Sequence, residues 1–279
     1  MKDKKQLIYS LALLFAAFLW GMSYSIQNTA AQGVGSYTVV FFRGIGGLLL
    51  IPVSKLFKQK FNRKTYIGGI LIGFFAFMGC LLQQFAVETT TISKSSFICS
   101  LYIVLVPIMG LFLKKKPKTK VWIAILIASV GLYFLCMSGE FTINYGDLFA
   151  LGSSFCFALQ IVLIDLFASD VDPIPFTCVQ QLAVALFSST VMIGIEKPQL
   201  PAIIDLAWPL FYLAVISGAL AQTIQNVSQQ KLDPSVASIV MSFESVFGAL
   251  GGWLLLNQTL SLKEIFGCIL IFIAVIIAQ

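Results

Sequence analysis

LFLKKKPKTKVWIAILIASVGLYFL, residues 111–135, is a lysine-rich loop followed by a long apolar run, and this stretch decides the fold because the chain repeats it. The second copy, WLLLNQTLSLKEIFGCILIFIAVII at 253–277, has one lysine where the first has five. Further upstream, Leu82-Gln83-Gln84 is echoed by Ile224-Gln225-Asn226, so the repeat covers more than one helix pair. Matching loops of different charge indicate two halves inserted into a membrane in opposite orientations.

The composition is that of a membrane protein. The 279 residues are 58% hydrophobic and 11% charged, with a mean hydropathy of +0.94, whereas soluble domains are about a quarter charged. The apolar runs, about 16 to 24 residues long, lack the alternation of barrel strands and therefore predict helices. Connections on the order of ten residues leave no room for a soluble domain. The expected fold is an all-α integral membrane protein whose activity lies within the bilayer.

Ten transmembrane spans are predicted from the apolar runs and their flanking charges. Fourteen basic residues fall on the side of the N-terminus and two on the other, so the positive-inside rule predicts cytoplasmic N- and C-termini in the cell membrane. Ten spans divide into two inverted five-helix repeats, 1–140 and 141–279. The predicted spans are 7–28, 36–54, 66–86, 89–113, 119–137, 146–168, 174–195, 206–229, 234–256 and 263–278.

Charge, histidine and cysteine content exclude several functions. The net charge of +6 comes from two loop clusters, 55–64 and 114–120, which is typical of cytoplasmic loops and argues against nucleic-acid binding; lipid headgroup binding is the alternative. The absence of histidine removes histidine-based triads and most zinc sites. The six cysteines lie in apolar runs without a CxxC pair. We therefore expect no catalytic residues, no metal and no cofactor.

The order and duplication of several motifs resemble the drug/metabolite transporter superfamily, specifically its EamA-type members with ten helices. The resemblance covers essentially the whole chain. The motifs are Trp20-Gly21, Arg43, TTISKSSFICSLYIVLVP at 90–107 and SIVMSFESVFGALGGWLLLNQTLSLKEIFGCIL at 238–270.

The resemblance implies a carrier of small metabolites driven by protons, another gradient or exchange, with a central cavity between the two halves. The chain departs from the family pattern at two positions. Ser245 follows the glutamate of span 9 where a proline is common, and Gln258 stands where a glutamate commonly closes that span. These departures leave the implied fold unchanged and weaken the transfer of a detailed mechanism.

Glu244 is the strongest candidate for a functional residue. It lies about ten residues into span 9, roughly 15 Å deep and close to the bilayer midplane. A carboxylate at that depth costs about 2.5 to 3.5 kcal/mol, so it must be protonated, be paired or face a cavity. Two interpretations stay open: a proton carrier or contact for a cationic substrate group, and a bond between helices.

Lys94, about five residues into span 4, is the predicted partner of Glu244. Its side chain, about 6 Å long, extends toward the depth of Glu244. We predict a pair across the two halves that opens when substrate or a proton arrives; the alternative is an ammonium group that snorkels to the surface. In the repeat, Lys94 corresponds to Ala237 and Glu244 to Leu101, so each half contributes a charge that the other lacks.

Arg43, about seven residues into span 2, is predicted to snorkel outward or to bind loop carbonyls; the alternative is an outer gate that recognises an anion such as a carboxylate. Pro107 is predicted to interrupt span 4, as a hinge or a packing kink. Buried amides suit neutral or zwitterionic substrates but also fit bonds between helices. These amides are Gln83, Gln84, Gln160, Gln222, Gln225 and Asn226. The aromatic residues predicted as cavity walls, or else as interfacial anchors, are Trp20, Tyr24 and Tyr102.

These residues predict a secondary active transporter that moves a small polar or amphipathic metabolite, such as an amino acid or derivative, across the plasma membrane by alternating access. We expect an exporter or a proton-coupled or exchange carrier, with a small-molecule substrate, protons as a candidate second partner and no nucleic acid. An intramembrane enzyme is disfavoured because histidine and paired intramembrane carboxylates are absent. A channel is the other alternative. The sequence leaves the substrate, the direction of transport and the oligomeric state open.

Overall fold

The structure, a computed structural model, describes residues 2–90, 92–136, 144–256 and 261–278, with the side chains of these residues except 2–5, 92–94, 136, 168 and 251–256. Its helices form ten segments, which we number as spans 1 to 10. Spans 1 to 5 comprise Lys2–Val34; Ser36–Ile45 with Gly47–Leu56; Arg63–Thr89; Ile92–Cys99 with Tyr102–Phe112; and Thr119–Cys136. Spans 6 to 10 comprise Tyr145–Phe167; Pro173–Glu196; Ala207–Gln229; Pro234–Met241 with Phe243–Leu256; and Leu262–Ala278.

The predicted all-α membrane fold is confirmed. Within the described ranges no residue belongs to a β-strand, and seven helical segments are at least 18 residues long and apolar enough to cross a bilayer. The main difference is at the end of span 1, whose helix continues to Val34 instead of ending near residue 28. It ends at Gly35, whose φ of 90° is the left-handed backbone that glycine adopts without strain. The predicted repeat boundary at 140 lies outside the described residues.

Spans 4 and 9 are both broken near their middle, at matching positions. The α-helix of span 4 is interrupted at Ser100 and Leu101, and that of span 9 at Ser242, which is 142 residues after Ser100. Pro107 lies within the helix Tyr102–Phe112. The interruption predicted at Pro107 therefore occurs six residues earlier, next to a buried serine cluster rather than at the proline.

The packing of the spans repeats between the two halves. Span 1 packs on spans 8 and 9 as span 6 packs on spans 3 and 4, and span 3 contacts span 7 as span 8 contacts span 2. Spans 2 and 7 pack on each other, as do spans 5 and 10. Glycines allow the close approaches: a Cβ on Gly21 would lie 2.6 Å from the carbonyl oxygen of Glu244, and one on Gly131 would lie 2.9 Å from that of Gly267. This arrangement encloses a space between the halves.

We name the two ends of the bundle by their charges. The lysine-rich end carries the loops 57–62 and 113–118. Just after the first loop Lys64 pairs with Asp170 at 2.7 Å, and in the second loop Lys115 pairs with Asp165. The opposite end carries the ends of spans 1, 3 and 7, including Glu88 and Glu196. The central cavity lies between these two ends.

Candidate functional site: a central cavity between the two halves

A cavity of about 50 Å³ lies between the halves, with side chains from spans 1 to 4 and 6 to 9 in its wall. It brings together most of the residues predicted from the sequence. Those that line it are Trp20, Tyr24, Arg43, Gln83, Tyr102, Gln160, Gln222, Gln225 and Glu244. A volume of this size holds a few water molecules, so the cavity must widen to admit a metabolite.

Glu244 is buried in this wall, two residues after the break in span 9. The hydroxyls of Tyr24 and Tyr102 both donate to its Oε1, each over 3.4 Å, and the amide of Gln83 donates to the Tyr24 hydroxyl over 3.2 Å. The Oε2 atom makes no hydrogen bond with a described residue. Of the two oxygens of Glu244, one is therefore held by the tyrosines and the other is not bound by any described residue.

A serine cluster supports the position of Glu244. Ser245 contacts the hydroxyls of Ser96 and Ser100 in span 4 at 2.8 and 3.0 Å. In the family that this chain resembles, a proline is common at the position of Ser245, and a proline has no hydroxyl. The hydroxyls join the two broken helices at the level of the cavity, so the departure from the family pattern contributes a specific contact between the halves.

The location of Arg43 can be compared with the two interpretations of it, an outward-snorkelling group and an outer gate for an anion. It lines the central cavity, and its charge acts on the carboxyl group of Glu244. It donates no hydrogen bond to any residue that the structure describes, so the predicted bond to loop carbonyls is not found. The backbone explains its position: the carbonyl of Arg43 packs against Gly218 of span 8, where a Cβ would lie 2.1 Å away. This contact draws span 2 toward the cavity.

The second half supplies amides to the wall. Gln160 donates to Gln222 over 3.4 Å, Gln222 donates to Gln225 over 2.6 Å, and Gln225 contacts the sulfur of Met241 at 3.5 Å. This chain of amides leaves the cavity polar without adding charge. Each amide has both a donor and an acceptor, so this part of the wall can bind either kind of polar group.

Span 8 also exposes backbone acceptors to its neighbours, because residues 212–221 are π-helical. The indole nitrogen of Trp20 donates to the carbonyl of Ser217 over 3.0 Å, and Gln181 donates to the carbonyl of Gly218. π-helical turns widen a helix and are frequent at functional sites. Here the widened segment connects span 8 to spans 1 and 7 on the cavity side.

The wall is nearly two-fold symmetric in position and asymmetric in chemistry. Seven pairs of lining residues are separated by 137 to 142 positions, the spacing of the repeat. The first half thus has aromatic residues and an arginine at positions where the second half has amides, apolar residues and a glutamate. The pairs are Trp20 and Phe157, Ser23 and Gln160, Tyr24 and Ile161, Arg43 and Gln181, Cys80 and Gln222, Gln83 and Gln225, and Tyr102 and Glu244. In the structure Glu244 is thus equivalent to Tyr102, whereas the repeat in the sequence paired it with the neighbouring residue, Leu101.

Some predicted residues do not reach the cavity. Gln84 is buried and donates to Glu88 over 3.2 Å, and Asn226 donates to Thr177 and Gln180 over 2.8 and 3.0 Å. The helix Ile92–Cys99 contains Lys94, whose side chain lies outside the described ones. The predicted pair of Lys94 with Glu244 therefore stays a prediction.

Three polar lining residues were missed by the sequence analysis: Ser23, Gln27 and Gln181. The helical spacing of Trp20, Tyr24 and Gln27 along span 1 was the signal that could have found the third position of that face. No comparable signal distinguishes Gln181 from its neighbour Gln180. Across the described residues, no group of three or more cysteine, aspartate or glutamate residues lies together as a metal site would require.

The two ends of the cavity are closed differently. At the opposite end, Glu196 of span 7 accepts hydrogen bonds from the backbone N–H groups of Tyr37 and Thr38 and from the Thr38 hydroxyl, all at 2.7 Å. Gly35 lies against this carboxylate, where a Cβ would come within 2.5 Å. Ser36 donates to Glu88 of span 3. Beside these contacts lies a wider pocket of about 300 Å³, lined by Glu88 and Glu196.

Comparison with known proteins agrees with this architecture. The EamA-like transporter family matches the chain twice, at residues 7–137 and 144–278. An uncharacterized transporter of Archaeoglobus fulgidus is 29% identical over 280 residues, covering 99% of this chain and 87% of the relative. The uncharacterized transporter YwfM of Bacillus subtilis is 29% identical over 157 residues, covering 54% and 53% of the two chains.

A solved crystal structure has the same fold. It superposes with a TM-score of 0.80 over 97% of this chain and 96% of its own, at 16% sequence identity. At that identity the likeness concerns the fold alone.

Proposed function

Because this chain belongs to the EamA-like transporter family, we propose that it is a secondary active carrier whose substrate has both an anionic and a cationic group, such as an amino acid or a derivative. The substrate binds in the central cavity, and the two halves expose it alternately to the two sides of the cell membrane. The carrier exports its substrate, exchanges it or couples it to protons. The lysine-rich end faces the cytoplasm, as do both termini.

One observation carries the substrate class: Arg43 and Glu244 line the same cavity, and each has bonding capacity that no described residue uses. A guanidinium group matches a carboxylate with two parallel hydrogen bonds. The open oxygen of Glu244 accepts from an ammonium group or holds a proton. A zwitterion balances both charges at once, whereas a neutral sugar can form hydrogen bonds but balances neither charge, and an apolar drug does neither.

The remaining wall supports a small substrate with a modest side chain. Trp20, Phe157 and Ile161 give the cavity an apolar side, and the amides of Gln160 and Gln222 give it a polar one. Binding of a solute in place of water between these side chains requires the halves to move apart. This requirement fits alternating access, in which the same movement opens the cavity to one side.

Uptake into liposomes that contain the purified protein tests the proposal. A set of labelled amino acids is compared with a neutral sugar and an aliphatic amine, because each of the last two lacks one of the two charges. A thermal-shift screen selects the best ligand, since a ligand at a hundred times its dissociation constant stabilises by about 2.7 kcal/mol. We expect saturable uptake and stabilisation by zwitterions alone. Uptake of the sugar or the amine at an equal rate would contradict the substrate class.

Two variants test the proposed roles of the two charged residues in the cavity, Arg43 and Glu244. We expect Arg43→Gln to weaken binding of zwitterions by about tenfold to a hundredfold, since a charge-assisted bond contributes about 1.5 to 3 kcal/mol, and Arg63→Gln, at the exposed start of span 3, to have little effect. Glu244→Gln is expected to abolish any dependence of uptake on a pH gradient. If both variants bind and transport as the parent does, the two residues have a structural role and the proposed site is wrong.

A further inference from the structure

Span 8 has a continuous amide face that extends beyond the cavity. Gln222, Gln225, Asn226 and Gln229 stand at positions i, i+3, i+4 and i+7 and therefore share one side of the helix. At 1.5 Å per residue this face is about 10 Å long, and it continues about 6 Å beyond the cavity-lining Gln225 toward the lysine-rich end. Amides in a membrane-spanning segment are costly to bury, and four on one face need a reason.

The amides of this face are buried in this structure, and some of their polar atoms have no hydrogen-bond partner among the described residues. Asn226, Gln229 and the neighbouring Gln180 of span 7 are at most 2% exposed. The Oδ1 of Asn226, the Oε1 of Gln229 and the Nε2 of Gln180 have no hydrogen-bond partner among the described residues.

Polar atoms buried without partners persist where another state of the protein satisfies them, because each costs about as much as a lost hydrogen bond. Lipid offers no partner, so that state must admit water or a polar solute. Gln222 and Gln225 already line the cavity, and Gln229 donates to the carbonyl of Ile161, another residue of the cavity wall. The unpartnered atoms thus lie on the continuation of the substrate site.

We propose that the amide face, with Gln180 opposite it, lines the half of the transport path that leads from the central cavity to the lysine-rich end. When that end opens, spans 6, 7 and 8 separate and the amides bind water and the uncharged polar groups of the passing substrate. The inference rests on the proposed function, because an alternating-access carrier needs such a path on each side of its site.

Thiol labelling tests the path directly. The six cysteines are first replaced by alanine or serine, and Gln229→Cys or Asn226→Cys is then introduced. A membrane-impermeant trimethylammonium methanethiosulfonate is added to either face of vesicles of known orientation. Val227→Cys, on the other side of the same helix, is the matched control. We expect both path cysteines to react from the lysine-rich face at least about tenfold faster than the control, since a thiol in apolar surroundings does not form the reactive thiolate.

The result that would overturn the inference is a lack of reaction at both path cysteines from either face, or reaction equal to that of Val227→Cys. The two variants keep the test meaningful if one of them fails to fold. Uptake by the cysteine-free parent is measured separately. A parent that transports with an unlabelled amide face would contradict this inference alone, whereas a labelled face in a protein that moves no solute would contradict the proposed carrier.

Discussion

Spans 3 and 8 are equivalent in the two halves and carry amides at equivalent positions, yet they end in different surroundings. In span 3, Gln83 lines the cavity and Gln84 donates to Glu88, which borders the wide pocket at the opposite end. In span 8, Gln225 lines the cavity and the following amides end in a packed cluster with unpartnered atoms. The amides of span 3 are thus followed by a carboxylate that has hydrogen-bond partners, whereas those of span 8 are followed by neutral amides.

The difference shows how each end is held shut. At the opposite end, the carboxylate of Glu196 binds the N-terminus of the helix Ser36–Ile45 across the two halves, and charge-assisted bonds of this kind are strong and directional. At the lysine-rich end the buried contacts are amide bonds and packing, and the ion pairs across the halves, such as Lys64 with Asp170, are exposed to solvent and therefore weak. If the protein works by the proposed alternating access, we expect the lysine-rich end to open more readily until the bonds to Glu196 are broken.

Among the changes that test how the two ends are closed, Glu196→Gln is expected to have the largest effect. It removes the charge that three donors share, so we expect the closed form of the opposite end to lose about 2 to 3 kcal/mol, or on the order of a hundredfold. Gln27→Cys, placed in the cavity wall toward that end, reports the opening through its rate of labelling from the opposite face.

Glu264→Gln is the matched control, because the Glu264 carboxylate also accepts from a helix start, the N–H and hydroxyl of Ser261, but within its own turn. We expect this variant to label at the parent rate. Equal acceleration in both variants would mean that general loosening, not the contact across the halves, had been measured.

The spans and Glu244 were predictable from the sequence because they depend on local properties. An apolar run and its flanking charges define a span wherever the run packs, and a single carboxylate within such a run is conspicuous. Ser100 shows the limit, since it lies at the break in span 4 and contacts Ser245 of another span, which no local pattern indicates. Pro107, the local indicator of a kink, lies beyond the break.

The orientation of side chains around a helix was not predictable from local properties. Gln181 lines the cavity while Gln180 faces Asn226, and Gln225 lines it while Asn226 does not. Neighbours differ by about 100° around a helix, so the choice depends on how the helix is rotated. Close contacts such as that of Gly218 with Arg43 determine this rotation, and the π-helical turns of span 8 change it again.

Ser36→Ala is expected to have a smaller effect at the opposite end. It removes the donor to Glu88 but leaves the Glu196 bonds in place, so the closed form should lose about 1 to 2 kcal/mol, or on the order of tenfold in labelling of Gln27→Cys. Ser189→Ala, whose hydroxyl bonds only within its own helix, should leave the rate unchanged. An effect as large as that of Glu196→Gln would place the main closure at Glu88.

Gln229→Leu has the smallest expected effect and the opposite sign. Its Oε1 has no partner among the described residues and its amide nitrogen reaches the Ile161 carbonyl over a long 3.4 Å, so a leucine of similar size removes this buried atom at little cost. We expect thermal unfolding in detergent to show a gain of up to about 1 kcal/mol, while uptake slows because the path loses a polar contact. Gln84→Leu, at the matching face of span 3, should instead destabilise, because it removes a donor from Glu88. If both leucine variants lowered stability alike, the unpartnered amide of Gln229 would be ordinary packing, and the two ends would be closed by the same kind of contact.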